Sequence, residues 1–123
     1  MKITTFNPQI ITRDATDLLA LFEELGFEKT HTKSDFDDLP VKGYRMKDAS
    51  GFAIDISESN KGPAQDVSAI RMNVDNFDEA YQLLLSKGFQ NFYGDETPMS
   101  ATSKSAVMVS PKGVCINLVE HLK

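Results

Sequence analysis

The chain has 123 residues, 41% of them hydrophobic and 25% charged, which is enough to close an ordinary core and too apolar for disorder. A formal net charge of −5 argues against a general nucleic-acid binder, which needs clustered Lys and Arg, and against a protein that coats anionic membranes. Cys115 is the single cysteine, so neither an intrachain disulfide nor a cysteine-based zinc site can form, and a reducing, cytoplasmic setting is expected.

Taken in chain order, residues 1–10 lack the apolar run of a secretory leader, and no stretch reaches the roughly 18 apolar residues of a membrane span. Residues 4–12 carry strand content, with Pro8 at an edge or bulge. Asp14 is the candidate helix N-cap, and Asp17 suits the positive end of the helix. Leu18, Phe22 and Leu25 follow at helical spacing, widened by Leu19 and Leu21, and Gly26 sits where a left-handed C-cap belongs. Strands are expected over 27–33, 41–47 and 52–57, the last two separated by the turn Asp48-Ala49-Ser50-Gly51.

The second half repeats this order. Gly26-Phe27 and Gly88-Phe89 lie 62 positions apart, as do Leu21 and Leu83, Met46 and Met108, Gly51 and Gly113, and Ile54 and Ile116. A strand over 67–74 precedes the cap Asn76 and the stripe Phe77, Ala80, Leu84. Gly88 stops that helix, and strands follow over 89–93, 104–109 and 114–119. The polar stretch 58–66 contains Gly-Pro and reads as the joint. The expected organisation is therefore repeat 1 over 1–58, a linker at 59–66 and repeat 2 over 67–123. Two polar loops, 34–40 and 94–103, occupy equivalent places, the first carrying Asp35, Asp37 and Asp38.

Alternation along the strands separates two faces. One is apolar and faces a helix: Ile54 and Ile56, Met72 and Val74, Ile116 and Leu118. The other mixes small and polar groups: Asn7, Gln9, Asp55, Arg71, Asn73 and Asn117, with Ala69 and Cys115. These six polar residues are the candidate ligand contacts, on the concave side of a curled sheet or, alternatively, on a solvent-washed face. Enclosed, Arg71 needs a negative partner, for which Asp55 or an anionic ligand would serve. Tyr44 and Tyr93 either reach that face or pack beneath loops. Cys115 reads as a small buried apolar residue, and His31 and His121 as a surface strand residue and a tail residue.

The segments LFEELGF (21–27), LLLSKGF (83–89), SGFAIDI (50–56) and PKGVCINLVE (111–120) resemble the vicinal oxygen chelate superfamily, that of glyoxalase I, bleomycin-resistance proteins and extradiol dioxygenases. The resemblance implies an α+β fold of two tandem βαβββ modules forming an incomplete curved barrel, and frequent homodimers. Its metalloenzymes place ligands on the first and last strand of each module, positions that fall here on Asn7, Asp55, Ala69 and Asn117. None is His or Glu, so no metal and no cofactor is expected. The expectation is a small-molecule binder of the glyoxalase/bleomycin-resistance type, its ligand cationic or aromatic. A metal-dependent lyase, isomerase or dioxygenase and a non-catalytic interaction module are the alternatives.

Overall fold

The 62-residue periodicity of the sequence reappears as two rounds of one element order. The computed structural model describes residues 1–34, 41–94 and 103–122. The elements are β1 (Ile3–Thr12), α1 (Thr16–Glu24), β2 (Glu28–Ser34), β3 (Val41–Lys47), β4 (Ala53–Ser59), β5 (Val67–Val74), α2 (Phe77–Ser86), β6 (Gln90–Asn91), β7 (Ser103–Val109) and β8 (Cys115–His121). The chain is α+β with a mixed strand arrangement. The interiors of the loops 34–40 and 94–103, and with them Asp35, Asp37 and Asp38, lie outside the described residues.

Two units partition the chain, Asn7–Ser68 and Met1–Phe6 with Ala69–Lys123. In the first, the strand order is β2-β3-β4-β1. β1 runs parallel to β4, pairing Gln9 with Asp55 and Ile10 with Ile56, while β3 is antiparallel to β4, pairing Arg45 with Asp55. In the second, the order is β5-β8-β7-β6, with β5 parallel to β8 and β7 antiparallel to it. Neither four-strand half closes on itself, since β2 and β6 are end strands. Residues 1–6 join the second unit through a reciprocal pair: the Lys2 N–H donates to Asp75 Oδ1 (2.6 Å) and the Asp75 N–H to the Lys2 carbonyl (3.1 Å).

Each unit has its own core on the helix-facing side of its strands. In the first, Ala15, Met46, Ile54 and Ile56 are buried, and Ile10, Leu18, Leu19, Phe22, Phe27 and Tyr44 pack against them. In the second, Met72, Val74, Phe77, Ala80, Ala106, Met108 and Leu118 are buried, joined by Tyr81, Leu84, Phe89 and Ile116. Met46 and Met108, 62 positions apart, are both fully buried. Each large buried side chain contributes roughly 1.5–3 kcal/mol of transfer free energy. Aromatic pairs stiffen the helix ends: Phe22 meets Phe27 edge-on at 5.5 Å, and Phe77 stacks on Tyr81 at 5.5 Å.

Several boundaries differ from the sequence reading for identifiable reasons. The α1 cap is Ala15 rather than Asp14, because a carboxylate from the far strand reaches the helix: the Ala15 N–H donates to Glu58 Oε2 at 2.7 Å. Asp14 instead accepts from the Thr16 N–H (3.0 Å) and the Thr16 hydroxyl (2.6 Å). At α2 the expected cap holds, with Asn76 Oδ1 accepting from the Glu79 N–H, and the Phe77 N–H donates to Glu120 Oε1 at 2.7 Å. Glu58 and Glu120 stand 62 positions apart, so the final strand of each repeat supplies an anion to the positive end of its own helix.

Leu21 and Leu25 fall outside the buried stripe and are exposed, as is Phe52, which precedes β4 rather than opening it. β6 is only two residues long, not five, because Asn91 Oδ1 accepts the Tyr93 N–H and turns the chain away. β4 runs on through Glu58 and Ser59, which puts two polar residues of the expected joint into a strand. His121 is the last residue of β8 rather than tail. Gly26 and Gly88 adopt φ of 102° and 93°, the left-handed conformation expected of both helix ends.

Candidate ligand-binding site

The polar strand face of the unit Asn7–Ser68 is built around one carboxylate. Strand pairing sets Gln9 on one side of Asp55 and Arg45 on the other. Arg45 Nε donates to Asp55 Oδ1 at 2.9 Å and its Nη2 to Oδ2 at 3.0 Å, a two-point fork on the carboxylate. Asn7 Nδ2 also donates to Asp55 Oδ2. The Asp55 side chain is 5% exposed and that of Arg45 31%, so the charge pair sits at the edge of the interior with the guanidinium on the water side. The bound carboxylate raises the Arg45 pKa above its ordinary value, chiefly by hydrogen bonding. Gln9 is buried beside this pair.

The corresponding face of the other unit is composed differently. Arg71 on β5 stands opposite Asn117 on β8, and Arg71 Nε donates to Asn73 Oδ1 at 3.1 Å. Asn73 is buried, and Arg71 and Asn117 are partly buried. Ala69 and Cys115 are buried on the same strands. Burial pushes the Cys115 thiol up, away from the thiolate form. Tyr93 is likewise pushed up, by burial and by the nearby Cys115.

Sequence alternation thus brought Asn7, Gln9 and Asp55 together on one face, and Arg71, Asn73 and Asn117 on another. It missed Arg45, the residue that supplies the counter-charge to Asp55. The signal was present: Tyr44 and Met46 point into the core, which leaves Arg45 on the opposite face of β3. Tyr44 therefore packs against the core and not toward the polar face. Tyr93 makes an edge-on contact with Phe92 at 4.9 Å.

No family model matches the sequence, and no curated protein matches it. Solved structures do. A hypothetical protein from Bacillus halodurans superposes with a TM-score of 0.66 at 18% identity, covering 98% of this chain and 95% of that one. Methylmalonyl-CoA epimerase from Mycobacterium tuberculosis gives 0.61 at 20%, covering 96% and 88%. A glyoxalase/bleomycin resistance protein/dioxygenase superfamily member from Vibrio splendidus gives 0.59 at 15%, covering 97% and 99%. The chain has the vicinal oxygen chelate fold.

That fold implies a metal ion in its enzyme branch, and the residues present do not fit one. Of the two implied positions in the first unit, Asp55 has both oxygens engaged by Arg45 and Asn7, and Asn7 points its amide nitrogen, not its oxygen, at that carboxylate. In the second unit, Ala69 has no donor atom and Asn117 offers a neutral amide beside the cation Arg71. Among the described residues, no three His, Cys, Asp or Glu side chains gather in one place. A vicinal oxygen chelate scaffold is here combined with an internally neutralised carboxylate.

Proposed function

We propose that this is a small-molecule-binding protein of the glyoxalase/bleomycin-resistance type that takes an organic ligand on a polar strand face without a metal ion or cofactor. The candidate contacts are Asn7, Gln9 and Asp55 on one face and Arg71, Asn73 and Asn117 on the other. The observation that carries the reading is the state of Asp55: the carboxylate best able to ligate a cation is already forked by Arg45 and hydrogen-bonded by Asn7. What remains is a hydrogen-bonding surface of amides and a guanidinium, suited to holding and orienting polar groups. The fold supports the ligand class: a Streptomyces coelicolor methylmalonyl-CoA epimerase with 19% identity was solved with 2-nitronate-propionyl-CoA. A homodimer and a cytoplasmic location belong to this reading, supported by the fold resemblance and by the single, buried cysteine.

Two measurements test it. Protein purified without chelator should carry well under one divalent ion per chain, and added zinc, manganese or cobalt should leave the melting temperature unchanged. A thermal-shift panel of small organic acids, amides, thioesters and aromatic amines should contain compounds that raise the midpoint, because ligands that bind only the native state stabilise it. Stoichiometric metal that is lost together with an activity would replace this reading with the metalloenzyme. A flat panel would favour an interaction module.

A further inference from the structure

Among the described side chains, Arg71 is the one partly buried cation with no acidic partner. Arg45 is forked onto Asp55, and Lys104, also partly buried, lies 3.6 Å from Asp78. Arg13 and the lysines at 2, 29, 42, 47, 61, 87 and 112 are exposed to water. Arg71 makes a single hydrogen bond, from Nε to the neutral amide oxygen of the buried Asn73. A guanidinium has five N–H donors, so the four on its two terminal nitrogens have no protein acceptor among the described residues. Those nitrogens are open to water, since no buried side-chain nitrogen or oxygen among the described residues lacks a hydrogen bond, and the protein supplies no acid to them as it does to Arg45.

The Nε contact has a geometric consequence. It fixes the plane of the guanidinium from behind and leaves its terminal edge, the edge that forks onto planar anions, facing away from Asn73. Asn117 stands across the strand pair from Arg71 as a neutral hydrogen-bonding neighbour rather than a competing charge. We infer that the ligand carries an anionic group, a carboxylate or a phosphate, and that Arg71 holds it, positioned by Asn73. This rests on the binding reading above and narrows it: the overall acidity of the chain suggested a cation, whereas the charge left open on this face is positive.

The test uses matched acid and amide pairs, succinate with succinamide and phenylacetate with phenylacetamide, together with inorganic phosphate. Binding to the full chain is followed by titration and by the side-chain Nε–H resonances of Arg71 and Arg45. The acids or phosphate should move the Arg71 resonance and leave that of Arg45 in place, while the amides bind about tenfold or more weakly. Arg71→Met should abolish the preference for acid over amide. Arg71→Lys should restore part of it, since the charge remains without the fork. Whichever of the carboxylates and phosphate binds more tightly names the anion. If amides bind as well as acids and Arg71→Met changes nothing, the inference fails while the binding reading stands. If no compound binds and the Arg71 resonance stays fixed to high millimolar concentration, both fall. Melting temperatures of the variants within a few degrees of the parent separate lost binding from lost folding.

Discussion

The two repeats of this chain agree wherever folding is at stake and part company on their polar faces. Glu58 and Glu120 cap their respective helices, Gly26 and Gly88 end them, and the turns Asp48–Gly51 and Ser110–Gly113 close with the same pair of backbone hydrogen bonds. On the polar faces, Asp55 and Arg45 of the first repeat correspond to Asn117 and Val107 of the second, and Gln9 corresponds to Arg71. One face is therefore neutralised from within and the other carries an open positive charge. Scaffold residues answer to local geometry that both copies share, whereas the polar faces have no such common requirement and are free to differ.

The largest effect should come from breaking the neutral cluster. Asp55→Ala leaves Arg45 without its carboxylate and should destabilise by about 2 kcal/mol, less than for a fully buried pair because Arg45 is partly open to water. The equivalent Asn117→Ala should cost about 1 kcal/mol or less, since no charge is orphaned. Denaturant unfolding of both variants compares them directly, and equal losses would erase the contrast between the faces.

A second experiment probes the shared scaffold. Glu58→Ala and Glu120→Ala should each cost about 1 kcal/mol, and by similar amounts, because each removes an acceptor from the first helical turn. A loss at one helix alone would show that the repeats are not energetically equivalent there. Gly26→Ala and Gly88→Ala should each cost slightly less than or about 1 kcal/mol, because φ near +100° is strained for any side chain.

The smallest effect is a pH dependence at the α1 entry. The Thr16 hydroxyl and N–H hold the Asp14 pKa below its ordinary value. A depressed carboxylate stabilises the fold above its unfolded pKa of about 4, and that contribution disappears as pH falls through the folded value. Asp14→Asn should thus narrow the stability difference between pH 6 and pH 3, while Asn76, the cap of α2, has no charge to titrate. Hydrogen-exchange stability of α1 at the two pH values checks this, and an unchanged difference would remove Asp14 from the account.

Much of the scaffold was legible because its signals are short-range. Met46 and Met108 were recognisable as equivalents from spacing alone, and period-two alternation sorted Ile54 and Ile56 from Asp55. Leu21 and Leu25 were misplaced because an apolar residue at helical spacing marks a stripe without fixing its width, and the strands cover only the part taken by Leu18, Leu19 and Phe22. The candidate contacts lie on the strands that alternation assigns them, but their hydrogen-bond and ion-pair partners were not visible. Arg45 was overlooked because its significance depends on the register that sets it opposite Asp55.

The sequence by itself determined the duplicated element order, the apolar and polar faces of the strands, and the two glycine-ended helices. Those follow from side-chain periodicity and from backbone sterics within a few residues. Only the tertiary structure decided that Glu58 would serve a helix 43 positions earlier, that Asp55 would be shared by Arg45 and Asn7, and that Arg71 would find a neutral amide in place of an acid. Hydrogen bonds and ion pairs form within about 3 Å, and across such separations along the chain that distance is set by strand register rather than by composition.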